Sequence, residues 1–180
     1  MKRFIALIAL FLCSATAWAQ NVWTGKITAV KDGDTVEFLL DCGEYKIPFD
    51  VRLYGIDAPE KKQAFGQASK QALSDLCFGK TVSMSWRKKD RYGRLLGTLS
   101  LAGANLNERM VADGMAWHYA DIGTDAEKAS DVYKRLAELE TAAAAAKKGL
   151  WSDLNTANPP VKPWDFRHHH GIPEHHDEHE

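Results

Sequence analysis

The stretch VWTGKITAVKDGDTVEFLLDCGEYKIPFDVRLYGID, residues 22–57, carries the pattern that decides the fold. Trp23 to Val30 and Thr35 to Leu40 are rich in Val, Ile, Thr and aromatic residues with partial alternation, and Lys31-Asp32-Gly33 separates them. Such side chains fill a pleated, half-buried surface, so two strands joined by a tight turn are expected. Asp41-Cys42-Gly43-Glu44 is a second turn signal. Tyr45 to Gly55 reads as a third strand, and Pro48 within it points to an edge or a bulge because proline has no N–H for a ladder.

Beyond this stretch the period changes. In Gln67 to Phe78, the residues Ala68, Ala72, Leu73, Leu76 and Cys77 recur at helical spacing, with Gly79 placed as a C-terminal cap. Thr81 to Arg87 and Arg94 to Leu101 are strand-like and flank a loop over Lys88 to Gly93. Leu106, Met110 and Val111, closed by Gly114, predict a short second helix. A third begins at the capping box Thr124-Asp125-Ala126-Glu127 and ends before Gly149. The order of three strands, a helix, two strands and two helices predicts a mixed β+α fold. It suits a five-stranded Greek-key barrel of the oligonucleotide-binding type with three helices packed outside. Most strand connections are too short for the crossovers of a parallel sheet.

The 180 residues are 45% hydrophobic and 26% charged with 13 Gly and 6 Pro, which excludes a collagen-like repeat, a chain disordered throughout and a disulfide-dense miniprotein. Lys2 and Arg3, the apolar run Phe4 to Cys13 and the small residues of Ala17-Trp18-Ala19 read as a signal peptide over residues 1–19. The run is too short to span a bilayer, so no membrane association is expected once it is removed. The folded domain is expected over 20–154. Residues 155–180 read as a Pro-containing linker and a His/acid-rich disordered tail, lying beyond every candidate motif and dispensable for the chemistry. Six of the seven histidines lie in that tail, and they could bind transition metals loosely, as in a metal-handling protein. Export to an oxidising compartment, periplasmic or extracellular, favours a Cys42–Cys77 disulfide over two free thiols.

Charge is uneven. Residues 61–94 hold nine bases against Asp75 and Asp90, whereas residues 165–180 hold five acids and one base. The basic stretch suits a polyanionic partner.

Three clusters concentrate the chemistry. Asp32-Gly33-Asp34-Thr35 stands at a strand start, and Arg52-Leu53-Tyr54-Gly55-Ile56-Asp57-Ala58-Pro59-Glu60 at a strand end. Each alone could be a turn. Together they place carboxylates beside a fixed cation, an arrangement that calls for another charged partner, and oxygen-only ligands favour Ca²⁺ or Mg²⁺. Asp90-Arg91-Tyr92-Gly93-Arg94 forms a basic hairpin loop whose Arg and Tyr side chains suit phosphate oxygens and bases.

These three motifs are followed by Asn107-Glu108-x-Met110-Val111-x-x-Gly114-Met115-Ala116-Trp117 and Gly149-Leu150-Trp151-Ser152. In that order they resemble the thermonuclease (staphylococcal nuclease-like) family over roughly Val22 to Asp153. The resemblance implies a five-stranded oligonucleotide-binding-fold barrel with three helices. It also implies Ca²⁺-dependent endonucleolytic cleavage of DNA and RNA, single strands favoured, leaving 3′-phosphate and 5′-hydroxyl ends, by a monomer. By position, Asp34, Asp57 and the Ala58 backbone carbonyl match the metal ligands. Glu60 matches the general base, Arg52 and Arg94 the two catalytic arginines, and Arg91 and Tyr92 the contacts to the terminal phosphate. Trp117 and Tyr119 lie near the positions of the aromatic pair that flanks the base pocket. The alternative is a non-catalytic barrel of the same fold that only holds single-stranded nucleic acid. Such a copy has no need of Asp34, Asp57, Glu60, Arg52 and Arg94 together.

Overall fold

The computed structural model describes residues 22–120, 124–153 and 160–169. The expected signal peptide and most of the His-rich tail lie outside the described residues. Five strands form the frame: β1 (Val22–Val30), β2 (Thr35–Asp41), β3 (Lys46–Leu53), β5 (Thr81–Lys89) and β6 (Leu95–Leu101). A short β4 (Ile56–Asp57) precedes β5, and two further pieces follow β6, namely β7 (Ala104–Asn105) and β8 (Trp117–His118). The neighbours run β3-β2-β1-β5-β6, all antiparallel, and β3 closes on β6 in parallel through Val51↔Leu95, Arg52↔Leu96 and Leu53↔Gly97. Closure leaves the five-stranded barrel without a free edge along that seam. Pro48 sits in the half of β3 that pairs only with β2, so its missing N–H falls where no ladder needs it. Register shifts at Ile27/Ala29 in β1 and Trp86/Lys88 in β5 bend the two central strands, as closure of a small barrel requires.

The inward positions are apolar. Ile27, Val36, Phe38, Val51, Met84 and Leu99 are fully buried and form one core. At ~25 cal/mol per Å² of apolar surface, each such side chain contributes roughly 1.5–3 kcal/mol on burial.

Among the described residues, five helices accompany the strands. They are α1 (Gly66–Cys77), α2 (Leu106–Ala112), α3 (Asp125–Lys128), α4 (Asp131–Ala145) and α5 (Pro163–His169), with a 3₁₀ turn over Gly149–Asp153. The Thr124 capping box forms, its hydroxyl accepting from the Glu127 N–H. The single long helix expected from there does not. Ser130 caps a second start by accepting from the Tyr133 N–H, and this splits the segment into α3 and α4. The segment read as linker and tail contains α5, anchored by the buried Pro163 and Arg167.

The expected disulfide is not present: Cys42 and Cys77 are both free thiols. Cys42 is exposed in the β2–β3 turn, whereas Cys77 ends α1 inside the core, where its Sγ donates to the Leu73 carbonyl at 3.1 Å. A shared oxidising compartment does not bring together a surface turn and a core-facing helix position.

Candidate active site

The first acidic cluster is a turn with a consequence. The Lys31 N–H donates to the Thr35 carbonyl (2.8 Å) and the Asp34 N–H to Asp32 Oδ1 (3.0 Å), closing the loop between β1 and β2. Asp34 is thereby carried inward and is 5% exposed. The β2–β3 register sets Thr35 opposite Arg52, so Arg52 Nη1 forms an ion pair with Asp34 Oδ2. Beyond β3 the chain reverses at Gly55, whose φ of +78° favours glycine, and enters β4. There Asp57 pairs with Trp117 of β8 and receives Arg52 Nη2 on Oδ1 at 2.8 Å. The Ala58 N–H donates to Asp34 Oδ2 at 2.7 Å, locking the two acidic clusters together. The Glu60 N–H donates to Gln63 Oε1 (3.0 Å), which fixes the turn leading into α1. In the β5–β6 loop, Asp90 accepts from the N–H groups of Tyr92 and Arg94 (both 2.9 Å) and pairs with Arg94 Nε at 2.6 Å.

Asp34, Arg52, Asp57, Ala58, Glu60 and Arg94 accordingly line one polar cavity of about 20 Å³ beside the β3–β6 seam. Arg91 and Tyr92 do not line it. Tyr92 is half exposed, with the Arg91 and Arg94 guanidinium carbons 5.1 and 5.5 Å from its ring centre. It borders an adjoining groove of about 380 Å³ with Pro48 and Phe49, and Arg94 lines both spaces. Trp117 is buried and packs edge-on against Trp151 at 6.0 Å, so it serves the core and not a base pocket.

Electrostatics follow from burial. Burial works to raise Asp34, but the Arg52 charge and hydrogen bonds from Arg52 and the Ala58 N–H hold it below the usual carboxylate range. Burial together with the neighbouring Asp34 charge pushes Asp32 up to about 7. Asp57 is raised by burial, against the opposing pull of Arg52 and Arg167. Burial disfavours the Arg52 charge, yet the surrounding aspartates outweigh it and raise its pKa.

Arg167, on α5, is a site residue that sequence reading missed. It is 1% exposed and inserts its guanidinium into the cavity. Nη2 meets Asp57 Oδ2 at 3.0 Å and the Tyr119 hydroxyl at 3.4 Å, while Nη1 meets Glu60 Oε1 at 2.9 Å and Asp57 Oδ1 at 3.3 Å. Its only sequence signal is being the one base among the five acids of residues 165–180, directly after the apolar Phe166.

The donor chemistry fits a hard divalent cation. Asp32, Asp34, Asp57 and Glu60 open onto one cavity, all of them oxygen donors. Among the described residues no three His, Cys, Asp or Glu side chains stand ready-grouped around a metal position. The carboxylates are instead partnered by Arg52 and Arg167.

Fold and site together define an oligonucleotide-binding-type barrel with an acid and arginine centre suited to phosphoryl chemistry. The staphylococcal nuclease homologue family model matches residues 50–153. Protein ParB of Escherichia coli is 38% identical over 176 residues, covering 93% of this chain and 90% of that protein. An uncharacterized endonuclease of Escherichia coli is 37% identical over 169 residues, covering 93% and 99%. A micrococcal nuclease of Shigella flexneri is 36% identical over 176 residues, covering 92% and 91%. The chain belongs to the staphylococcal nuclease homologue family.

Proposed function

We infer that the protein is an exported, calcium-dependent endonuclease, hydrolysing the phosphodiesters of DNA and RNA, single strands favoured, to 3′-phosphate and 5′-hydroxyl ends, and acting as a monomer. The observation that carries this reading is the convergence of Arg52, Arg94, Glu60, Asp34 and Asp57 on one cavity from three separate stretches of chain. Relatives named as nucleases along almost the whole chain support it. Export rests on the residue pattern of positions 1–19.

Hydrolysis needs an in-line water, neutralisation of charge on the phosphoryl oxygens and stabilisation of the departing 5′-oxygen. Asp34, Asp57 and the Ala58 carbonyl would hold the calcium ion, which when bound supplies Lewis-acid polarisation of a phosphoryl oxygen. Glu60, whose side chain is 27% exposed at the cavity mouth, accepts the proton of the attacking water. Arg52, held by two carboxylates, and Arg94, held by Asp90, present fixed guanidinium groups to the phosphoryl oxygens, with Arg94 toward the leaving group. Tyr92 borders the adjoining groove, Arg91 lies against its ring, and the two engage the terminal phosphate. The nine bases of residues 61–94 draw the polyanion in.

The test is the chemistry of the products. Oligonucleotides released from single-stranded DNA should accept a phosphate from a polynucleotide kinase at their 5′ ends without prior dephosphorylation; products carrying 5′-phosphates would overturn the assigned polarity.

A further inference from the structure

We propose that α5 is a built-in latch: Arg167, seated between Asp57 and Glu60, closes the cavity, and docking of the latch competes with binding of a divalent cation. The proposal rests on the nuclease reading for the identity of the cavity, but not for its test.

Three observations carry it. The Arg167 guanidinium takes the groups the reaction needs. Asp57 Oδ1 already accepts from Arg52, and Arg167 binds both of its oxygens and Glu60 Oε1 as well. A carboxylate oxygen offers two lone pairs, so Asp57 Oδ1 is filled by Arg52 and Arg167 while Oδ2 keeps one, and a metal held through Oδ1 or through both oxygens must displace a guanidinium bond. A divalent cation drawn to these carboxylates would also face the Arg167 charge at close range in a buried setting, where screening is weak. Second, the cavity left around the docked Arg167 is about 20 Å³, room for one water-sized occupant and far too small for a phosphodiester. Third, the docking is built. Gln63 Nε2 donates to the Val161 carbonyl while its Oε1 holds the Glu60 N–H, so the approach to α5 is tied to the loop that carries the candidate base. Pro163 is buried beside it.

The contact also has the marks of a reversible one. Arg167 Nε is buried without a hydrogen-bond partner among the described residues, a donor left unsatisfied in the docked state. The helix itself has only seven residues, too few to persist without its contacts.

The competition can be read without nuclease activity. Arg167 is the sole tryptic site after Lys148, because the Lys162–Pro163 bond resists trypsin, and it is 1% exposed when docked. In wild-type protein, trypsin should spare Arg167 in chelator and cut after it when Ca²⁺ is added. Trypsin activity under the two conditions is normalised with a small chromogenic substrate. In parallel, calorimetric titration with Ca²⁺ should show tighter binding by Arg167→Ala and by Arg167→Gln. A latch docked nine-tenths of the time weakens apparent affinity about tenfold, and that is the gain expected. Cutting at the same rate with and without Ca²⁺ overturns the latch, as does an affinity unchanged or weakened by the substitutions. An unchanged affinity with slower cleavage would make Arg167 a further phosphate-gripping residue instead. Failure of the nuclease reading would show separately, as no cleavage of DNA by any of these proteins.

Discussion

Asn107 ties the site to the barrel, and Asn107→Ala should cost the protein much of its stability. The side chain is 2% exposed at the start of α2. Its Oδ1 accepts from the Leu99 N–H at 3.1 Å, and its Nδ2 donates to the Tyr54 and Gly97 carbonyls at 2.9 and 3.1 Å. One amide thus joins α2, β6 and the turn from which Asp57 emerges. Alanine removes all three bonds. Gly97 O keeps the Tyr54 N–H at 2.8 Å, but the Leu99 N–H is left buried with no acceptor. Two lost bonds at about 1 kcal/mol each and one orphaned donor at about 2 kcal/mol sum to about 4 kcal/mol. That is a large share of the roughly 5–15 kcal/mol that holds a domain of this kind together. Urea unfolding followed by circular dichroism should show the midpoint falling with the slope unchanged. A loss below about 1 kcal/mol would refute the reasoning. Asn107→Asp adds a signature in pH. The buried carboxyl faces two carbonyls, so its folded-state pKa rises above the unfolded value of about 3.9. Its penalty is therefore smallest below pH ~4 and grows as pH rises toward the folded-state value. A pH-independent difference from wild type would contradict that placement.

Glu60→Gln and Arg94→Gln should each lower turnover of single-stranded DNA by ~10²–10³ with the circular dichroism spectrum intact; near-normal turnover in both would remove their assigned roles. Gly66→Ala drives a Cβ into the Glu60 carbonyl, so the Glu60 loop or the start of α1 must shift. A displacement of about 1 Å there should cost ~10²-fold in kcat, and an unchanged kcat would show that the loop position is not critical. Burial pushes the Cys77 thiol up to about 11, whereas Cys42 is exposed. A thiol reagent should therefore titrate Cys42 at once and Cys77 only on unfolding, and no thiols in the denatured, unreduced protein would restore the disulfide.

The barrel was legible because its five main strands carry their own signals: branched and aromatic runs cut by Asp-Gly and Cys-Gly turns. What local pattern does not encode is the two-residue ladder of β4 with β8, although the Asp57↔Trp117 pair sets one of the central carboxylates. The clusters holding Asp34, Arg52, Asp57 and Glu60 were readable as residue types at a strand start and a strand end. Their convergence depends on the Thr35↔Arg52 register and on the Ala58 N–H reaching Asp34, both tertiary facts. The break between α3 and α4 depends on the Ser130 hydroxyl accepting from the Tyr133 N–H, a contact that the reading of one long helix from Thr124 did not include. Arg167 was hidden for a different reason. Seven residues after a Pro-rich segment show too little periodicity to announce a helix, and a single base among acids reads as solvated until its buried partners are known. Compartment chemistry argued for joining Cys42 to Cys77, but bond geometry depends on where α1 faces.

The most direct test of the account is cleavage of single-stranded DNA by the protein lacking residues 1–19, with Ca²⁺ and with chelator, for wild type and for Asp57→Asn. The carboxylate and arginine centre predicts rapid cleavage by wild type with Ca²⁺, almost none in chelator, and a large loss for Asp57→Asn at equal Ca²⁺. Equal rates with Ca²⁺ and with chelator, or an Asp57→Asn protein as active as wild type, would contradict it.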